Sequence, residues 1–151
     1  MVLFKKFLIL LSAFLVFACA EGTPKLATPL ETFKAYTKAI KQKDSTTMKI
    51  LLSDASIKMH EQEARAQSVT LDEVVKRQTL FTEDQKSVKL RNEKIEGDKA
   101  TLEVENSFGV WETIPFVKED GIWKIDKQGI ANQMLQQIEE GDKRLDAIIN
   151  Q

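Results

Sequence analysis

The spacing of apolar residues changes once along this chain, and that change limits the possible folds more than any other feature. Between Thr28 and Leu80 apolar residues recur every three or four positions, as on one face of an α-helix. From Ser87 to Lys127 they alternate with charged residues, which is the period of a half-buried β-strand. Helices followed by sequential strands predict an α+β fold, with N-terminal helices packed on one face of a curved antiparallel sheet.

Two capping boxes mark where helices begin. Thr28 with Glu31, and Thr70 with Glu73, place a hydroxyl and a carboxylate three residues apart, as the reciprocal cap of a helix requires. Between them, a short helix capped by Asp44 or Ser45 is expected, and a more polar one over residues 55–67. We therefore predict four helices before the first strand.

Turn residues divide the alternating region into two hairpins, over residues 87–107 and 110–127. Asp120 and Gly121 tolerate the positive φ of a tight turn in the second hairpin. Pro115 lies within one of its strands and cannot donate a ladder hydrogen bond, so that strand is expected to be an edge there or to carry a bulge.

The first 18 residues have the pattern of a secretory leader. Lys5 and Lys6 precede an apolar run over residues 7–18, which is shorter than the roughly 20 residues of a transmembrane helix. The triplet Ala18 to Ala20 fits ordinary signal cleavage after Ala20. The alternative is lipidation, because "VFAC", Val16 to Cys19, resembles a bacterial lipobox except at Phe17.

Cysteine usage favours lipidation. Cys19 is the only cysteine, so it can form no internal disulfide, whereas several acyl chains at this position would anchor the protein stably. Residues 19–27 contain Gly22 and Pro24 and are predicted to be a tether. Ala20 after the cysteine resembles lipoproteins of an outer membrane. The expected location is thus the bacterial cell envelope, lipid-anchored, in the outer membrane where one exists.

Charge and composition exclude several function classes. The leader contains two of the 22 basic residues and none of the 23 acidic ones, so a chain beginning at Cys19 has a formal net charge of −3 and no reason to bind nucleic acid. One histidine and one cysteine cannot build a zinc site. Phosphate-loop, dinucleotide and serine-nucleophile motifs are absent, so neither a metal nor another cofactor is expected.

Two stretches carry a family resemblance. "TPLETFKAYTKAIKQKDSTTMKILLSDAS", residues 28–56, and "IPFVKEDGIWKID", residues 114–126, resemble the opening and the last hairpin of bacterial nuclear-transport-factor-2-like domains, as found in small lipoproteins of uncharacterised function. The resemblance covers residues 28–127. It implies a cone, in which a strongly bent sheet wraps around helices and leaves a pocket at its open end. That superfamily includes isomerases, dehydratases and plain binding modules.

Four residues are candidates for lining such a pocket, and no catalytic residue is assigned. Tyr36 lies on the apolar stripe of the first helix, where core packing is the alternative. His60 lies in a polar helix and is expected to face solvent if it has no function. Glu112 shares a strand face with apolar residues but lies near the strand's start. Trp111 is a candidate too, although tryptophans in such hairpins are more often packing residues than ligand platforms.

A C-terminal helix is predicted over residues 128–151, beyond the usual end of the domain. Met134, Ile138, Gly141, Leu145 and Ile148 alternate at spacings of four and three. This stripe predicts either packing on its own domain or association with a second copy or partner.

The sequence therefore predicts a membrane-anchored extracytoplasmic lipoprotein, whose domain binds a small molecule or an envelope protein. One alternative is an isomerase-like or dehydratase-like enzyme that uses His60 or Glu112 as its base. Another is a surface-exposed adhesin.

The role of Cys19 can be tested by mass spectrometry. We expect the chain expressed in a bacterium with its own leader to begin at Cys19, to carry the added mass of acyl chains and to partition into detergent. Cys19→Ser should remove the added mass. A soluble product that begins at Glu21 would show ordinary leader cleavage instead.

Overall fold

The computed structural model describes residues 27–81 and 87–149, which form five helices and a four-stranded sheet. Four helices precede the sheet and one follows it, so the predicted α+β fold with a C-terminal helix is confirmed. The leader, Cys19 and the tether up to residue 26 lie outside the described residues. In chain order the elements are α1 (Pro29–Lys41), α2 (Ser45–Ile50), α3 (Asp54–Gln67), α4 (Leu71–Arg77), β1 (Leu90–Glu96), β2 (Lys99–Glu105), β3 (Trp111–Glu119), β4 (Ile122–Ile125) and α5 (Lys127–Ile149).

Side-chain oxygens cap all four N-terminal helices. The caps, in chain order, are Thr28, Asp44, Ser53 and Thr70. Thr28 accepts a hydrogen bond from the amide of Glu31 at 3.1 Å, and the Glu31 carboxylate accepts one from the Thr28 amide at 3.2 Å. Thr70 and Glu73 form the same reciprocal pair. Both predicted capping boxes are confirmed, and they stop α1 and α4 from fraying at their first turns.

The sheet is a meander in which each strand pairs antiparallel with the next, in the order β1-β2-β3-β4. Asp120 and Gly121 form the predicted turn between β3 and β4, with φ of +50° and +77°. The pairing of β1 with β2 shifts register between Arg91 and Lys94, where Asn92 has φ of +52°. An extra residue on one strand bends the ladder, and it contributes to the curvature of the sheet.

Pro115 lies in the middle of β3 without disturbing its pairing. The register of β2 with β3 is continuous, with Thr101 opposite Pro115. The carbonyl of Pro115 accepts a hydrogen bond from the Asp126 amide at 2.9 Å, just beyond the last residue of β4. Because the nitrogen and carbonyl of a strand residue point to the same side, the missing N–H faces the end of β4. Pro115 thus lies at a local edge and carries no bulge, in line with one of the two expectations.

The core lies between α1 and the inner face of the sheet. The inward side chains of β2 and β3 pack with side chains of α1, and both sets are fully or almost fully buried. From α1 they are Phe33, Tyr36 and Ile40, and from the strands Ala100, Leu102, Val104, Ile114 and Phe116. Burial of each large side chain contributes about 1.5–3 kcal/mol in transfer free energy. This layer holds the helices against one face of the sheet.

A buried hydrogen-bonded junction attaches the helical layer to the end of the sheet. The Ile125 amide donates to the Leu51 carbonyl at 2.8 Å, and the Ser53 amide donates to the Ile125 carbonyl at 2.9 Å. The Ser56 hydroxyl accepts a hydrogen bond from the Lys127 amide at 2.8 Å. We call these five residues the Ser56 junction. It joins α2, α3, β4 and α5 at one point.

α5 starts at this junction and crosses the outer face of β3. A Cβ at Gly129 would lie 2.6 Å from Asp126 Oδ2 and 3.3 Å from Pro115 Cγ, so the missing side chain permits the close approach. Beyond half-buried Ile130 and Ala131, the apolar residues of α5 are exposed. The expectation that the stripe packs on its own domain is therefore wrong for the described residues. No helix among them is long and apolar enough to cross a membrane.

Removing the Ser56 hydroxyl tests the junction. Ser56→Ala leaves the buried Lys127 amide without its acceptor, and we expect it to lower the free energy of unfolding by about 1–3 kcal/mol in urea denaturation. Ser87→Ala changes an exposed serine and should cost less than about 0.5 kcal/mol. Equal effects of the two substitutions would contradict a structural role for the junction.

Candidate ligand-binding site

A cavity of about 350 Å³ opens between α1, the segment after α4 and the inner face of the sheet. We call it the inner cavity. Its wall is apolar and consists of Phe33, Leu80, Phe81, Val104 and Ile114, and its rim is mainly polar, with Arg77, Thr79, Glu105, Asn106, Ser107, Phe108 and Glu112. This combination of an apolar wall with a few polar groups is typical of sites for small molecules.

Two phenylalanines form one side of the wall. Phe33 projects from the buried face of α1, and Phe81 follows the end of α4. Their ring centroids are 5.6 Å apart and the rings are tilted by 58°, a favourable aromatic arrangement. Thr79 donates its hydroxyl to the Phe81 carbonyl at 2.7 Å, which helps to hold the segment in place. Phe81 was not among the predicted site residues, although the apolar pair Leu80 and Phe81, shortly after the end of α4, was a usable signal.

The loop between β2 and β3 forms the opposite rim. The side-chain oxygen of Asn106 accepts hydrogen bonds from the amides of Phe108 and Val110, at 2.9 and 3.0 Å. Gly109 has φ of +76°, which completes the turn. As a result Phe108 is held at the mouth of the inner cavity with 89% of its surface exposed.

The charged groups of the rim are more acidic than basic. Glu112 accepts a hydrogen bond from Asn106 Nδ2 at 2.6 Å, and Glu105 forms an ion pair with exposed Lys89 at 2.8 Å. The guanidinium of Arg77 is 3.3 Å from Glu63. The lining thus has two carboxylates and one guanidinium, so the rim favours ligands that donate hydrogen bonds or carry positive charge.

The structure does not bring the four predicted pocket residues to one cavity. Glu112 lines the inner cavity. Trp111 points to the other face of the sheet, where Arg91 lies 3.9 Å from its ring centroid. Trp111 and Glu112 both border a second cavity of about 500 Å³, between β3 and α5. A third, of about 320 Å³, lies beside Gly129. Neither Tyr36 nor His60 lines any of the three.

Tyr36 belongs to the core, as its position on the apolar stripe allowed. Its side chain is fully buried, and its hydroxyl has no hydrogen-bond partner within the part of the chain that the structure describes. Burial raises the pKa of Tyr36 above its usual value, so the phenol stays neutral. It has no contact with the inner cavity.

His60 is buried, whereas the sequence led us to expect a non-functional His60 to face solvent. The buried face of α3 consists of Ser56, His60 and Ala64, spaced four residues apart. Because two of the three are polar, hydrophobicity alone did not reveal that this face is internal. Both ring nitrogens of His60 lack hydrogen-bond partners among the described residues.

A lysine lies close enough to His60 to influence it. Burial and, to a smaller extent, the positive charge of Lys127 lower the pKa of His60 to about 4, against an opposing effect of Glu63. The Lys127 ammonium donates to the Gln78 carbonyl, and burial lowers the pKa of Lys127 to about 8. His60 is thus a neutral internal group near pH 7, and it is separated from the three cavities.

Of the four candidates, only Glu112 carries a titratable group at the inner cavity. Within residues 27–81 and 87–149 no three His, Cys, Asp or Glu side chains are grouped as metal ligands. The lining therefore offers an apolar surface, hydrogen-bond acceptors and a negative rim.

Fold and cavity together define a small α+β domain with a ligand-sized cavity between its helices and its sheet. A family model described as "Protein of unknown function (DUF2950)" matches residues 24–149, and the chain belongs to this family. The comparison with curated proteins returned no match.

One solved structure is similar to the chain. It is the crystal structure of a Campylobacter jejuni protein provisionally named an NTF2-like transpeptidase. The sequence identity is 17% and the TM-score 0.41, over 65% of this chain and 96% of that one. A TM-score of this size does not establish a common fold, so the α+β assignment rests on the strand order and register of this chain.

The burial of His60 predicts a pH dependence of stability. The unfolded chain binds a proton at His60 below pH 6.5, whereas the folded protein does so only near pH 4. The free energy of unfolding should therefore fall as the pH is lowered from 6.5 to 4, by on the order of 2 kcal/mol from this residue. His60→Leu, of similar volume, should remove that part of the loss. Parallel pH profiles of urea unfolding for the two proteins would contradict this account.

Proposed function

We propose that this protein is a lipid-anchored binding module of the bacterial cell envelope, which holds a small amphipathic ligand in the inner cavity. The observation that carries the proposal is the lining of that cavity, which is apolar inside and acidic at the rim. The inner cavity has the surface of a binding site, and the buried His60 does not line it.

The sequence before the domain supports the anchor. A secretory leader followed by a single cysteine and a tether of about eight residues would keep the domain near the membrane. Fully extended, such a tether reaches about 26 Å at roughly 3.3 Å per residue. The membrane, through the lipid on Cys19, is thus the first proposed partner.

The order of elements supports a nuclear-transport-factor-2-like cone as the form of the domain. Helices precede a meander of sequential strands, and the inner cavity lies between α1 and the concave, helix-covered side of the sheet. We include this superfamily in the proposal because the motifs of residues 28–56 and 114–126 occupy α1 to α3 and the β3–β4 hairpin.

The dimensions and chemistry of the cavity describe the ligand. A volume of about 350 Å³ lies at the lower end of the range for small-molecule sites. Phe33 and Phe81 suit an aromatic or aliphatic body, while Glu105 and Glu112 suit an amine or another hydrogen-bond donor. We therefore propose a compact apolar molecule with one cationic or donor group.

The enzyme alternative has less support. An isomerase or dehydratase needs a base at the substrate, and His60 lines none of the three cavities. Glu112 remains at the inner cavity, but it lies at the exposed start of β3. No feature of the described residues favours the adhesin alternative over binding of a small molecule.

Fluorescence of an apolar amine tests the cavity. N-phenyl-1-naphthylamine, added to the chain from Ala20 onward, should bind saturably with enhanced fluorescence, and Phe81→Ala should weaken binding about tenfold, or about 1.4 kcal/mol. Ile50→Ala, which shortens an exposed apolar residue outside the inner cavity, should leave the affinity unchanged.

A charged probe tests the rim. The anionic 8-anilinonaphthalene-1-sulfonate should bind less tightly than the neutral amine, and Glu112→Gln should reduce that difference. Probe binding that is unsaturable, or equally affected by Phe81→Ala and Ile50→Ala, would overturn the assignment of the cavity.

A further inference from the structure

The C-terminal part of α5 has an apolar face with no cover. Six side chains of this face are between 58% and 77% exposed; they are Met134, Leu135, Ile138, Leu145, Ile148 and Ile149. Only the start of the helix is packed, with Lys127 buried and Ile130 half-buried. We call these six residues the α5 stripe.

A helix in this situation needs a partner. Residues 131–149 extend over about 28 Å at 1.5 Å per residue, and in proteins most of the stability of such a helix comes from packing of its apolar face. Monomeric soluble proteins seldom expose a contiguous apolar patch of this kind. The described residues of the domain do not cover the stripe, so we consider a second molecule as its cover.

The α5 stripe is symmetric about its own midpoint. Each apolar residue has an apolar counterpart at the same number of positions from the point between Gly141 and Asp142; the pairs are Met134 with Ile149, Leu135 with Ile148, and Ile138 with Leu145. An antiparallel second copy would therefore place apolar residues opposite apolar residues along the whole stripe. Such self-complementarity is the requirement for a two-fold symmetric interface.

Four of the six charges of this segment follow the same symmetry with opposite sign, whereas Asp142 and Asp146 have uncharged counterparts. Glu139 and Glu140 precede the midpoint, and Arg144 and Lys143 follow it at matching positions. In an antiparallel pair the two acids lie at the height of the two bases of the second copy. In a parallel pair each charged residue would lie beside the same residue of the second copy, and the two like charges would repel each other. The charge order therefore selects the antiparallel arrangement.

A membrane surface is a less suitable cover. Residues 131–149 contain four acidic and two basic side chains. Amphipathic helices that lie on anionic membranes are typically rich in lysine and arginine on their polar face. The charge of this helix therefore does not favour binding to such lipids.

We propose that two copies of this chain associate through antiparallel α5 helices, with the two-fold axis between Gly141 and Asp142. The absence of a side chain at Gly141 lets the two backbones approach closely at the axis, where nothing lies within 4 Å of its Cβ position in the single chain. The two domains then lie at opposite ends of the helix pair. The inner cavity, on the other face of the sheet from α5, remains open in both copies.

Cysteine cross-linking in membranes of expressing bacteria tests the arrangement with the full chain. One copy carries Met134→Cys and a second, differently tagged copy carries Ile149→Cys. We expect mild oxidation to link the two tags to each other, and to give no link between two Ile149→Cys copies, whose cysteines would be about 22 Å apart at 1.5 Å per residue. The unsubstituted chain is the control for any disulfide formed by Cys19.

A charge-matched pair of variants shows whether the stripe causes the cross-link. Ile138→Asp with Leu145→Asp places two acids on the stripe and should reduce the cross-linked fraction about tenfold, since buried unpaired charges are costly. Gln136→Asp with Ala147→Asp adds the same charge to the opposite face and should leave the cross-link intact.

Three results would overturn the proposal. A link between two Ile149→Cys copies would show a parallel pair. A cross-link that survives Ile138→Asp with Leu145→Asp would show that another surface brings the copies together. Absence of any cross-link would show that a second copy does not cover the stripe. Protection of the amides of residues 134–149 from hydrogen exchange only in the presence of anionic vesicles would then show that lipid covers it.

Discussion

The main chain of Ile125 is hydrogen-bonded to the segment between α2 and α3, and the rest of the domain depends on this attachment. Leu51 and Ser53 bind the amide and carbonyl of Ile125, which adds a short parallel bridge to the end of β4. Ser56, one turn into α3, accepts the amide of Lys127. The helical layer, the last strand and the first turn of α5 are therefore positioned by one set of buried bonds. Buried amides without such partners would be costly.

The attachment also determines where the open space lies. It holds the helices against the β4 end of the sheet, while on the other side Phe81, which follows α4, packs on Phe33. There the apolar layer is incomplete, and the inner cavity forms between Phe81 and the loop that follows β2. The binding site thus lies where the two layers separate, and the polar groups of its rim come from loops and strand ends that reach water.

Local signals in the sequence predicted much of the fold. The capping boxes at Thr28 and Thr70, the turn at Asp120 and the alternation of β2 each depend on residues within one turn or one strand, so the sequence shows them directly. The candidate site was less predictable. Of the proposed residues only Glu112 lies at the inner cavity, because whether a residue faces a cavity depends on elements distant in the chain.

His60 shows the same limit. Nothing within α3 marks its position as internal, since its neighbours on that face are a serine and an alanine. His60 is buried because α4 and α5 pack close to α3. Lys127 at the start of α5 also lowers the pKa of the His60 imidazole. The α5 stripe is the converse case, because its pattern predicted burial and the described domain leaves it exposed.

What the sequence by itself determined is the local structure, the order of helices before strands and the apolar stripe of the last helix. These features depend on residue type and short-range spacing alone. Only the tertiary structure decided that His60 is internal, that the inner cavity opens beside Phe81 and that the stripe of α5 finds no cover within its own domain. The reason is physical: burial is a property of packed layers, and it depends on contacts between segments that spacing along the chain does not specify.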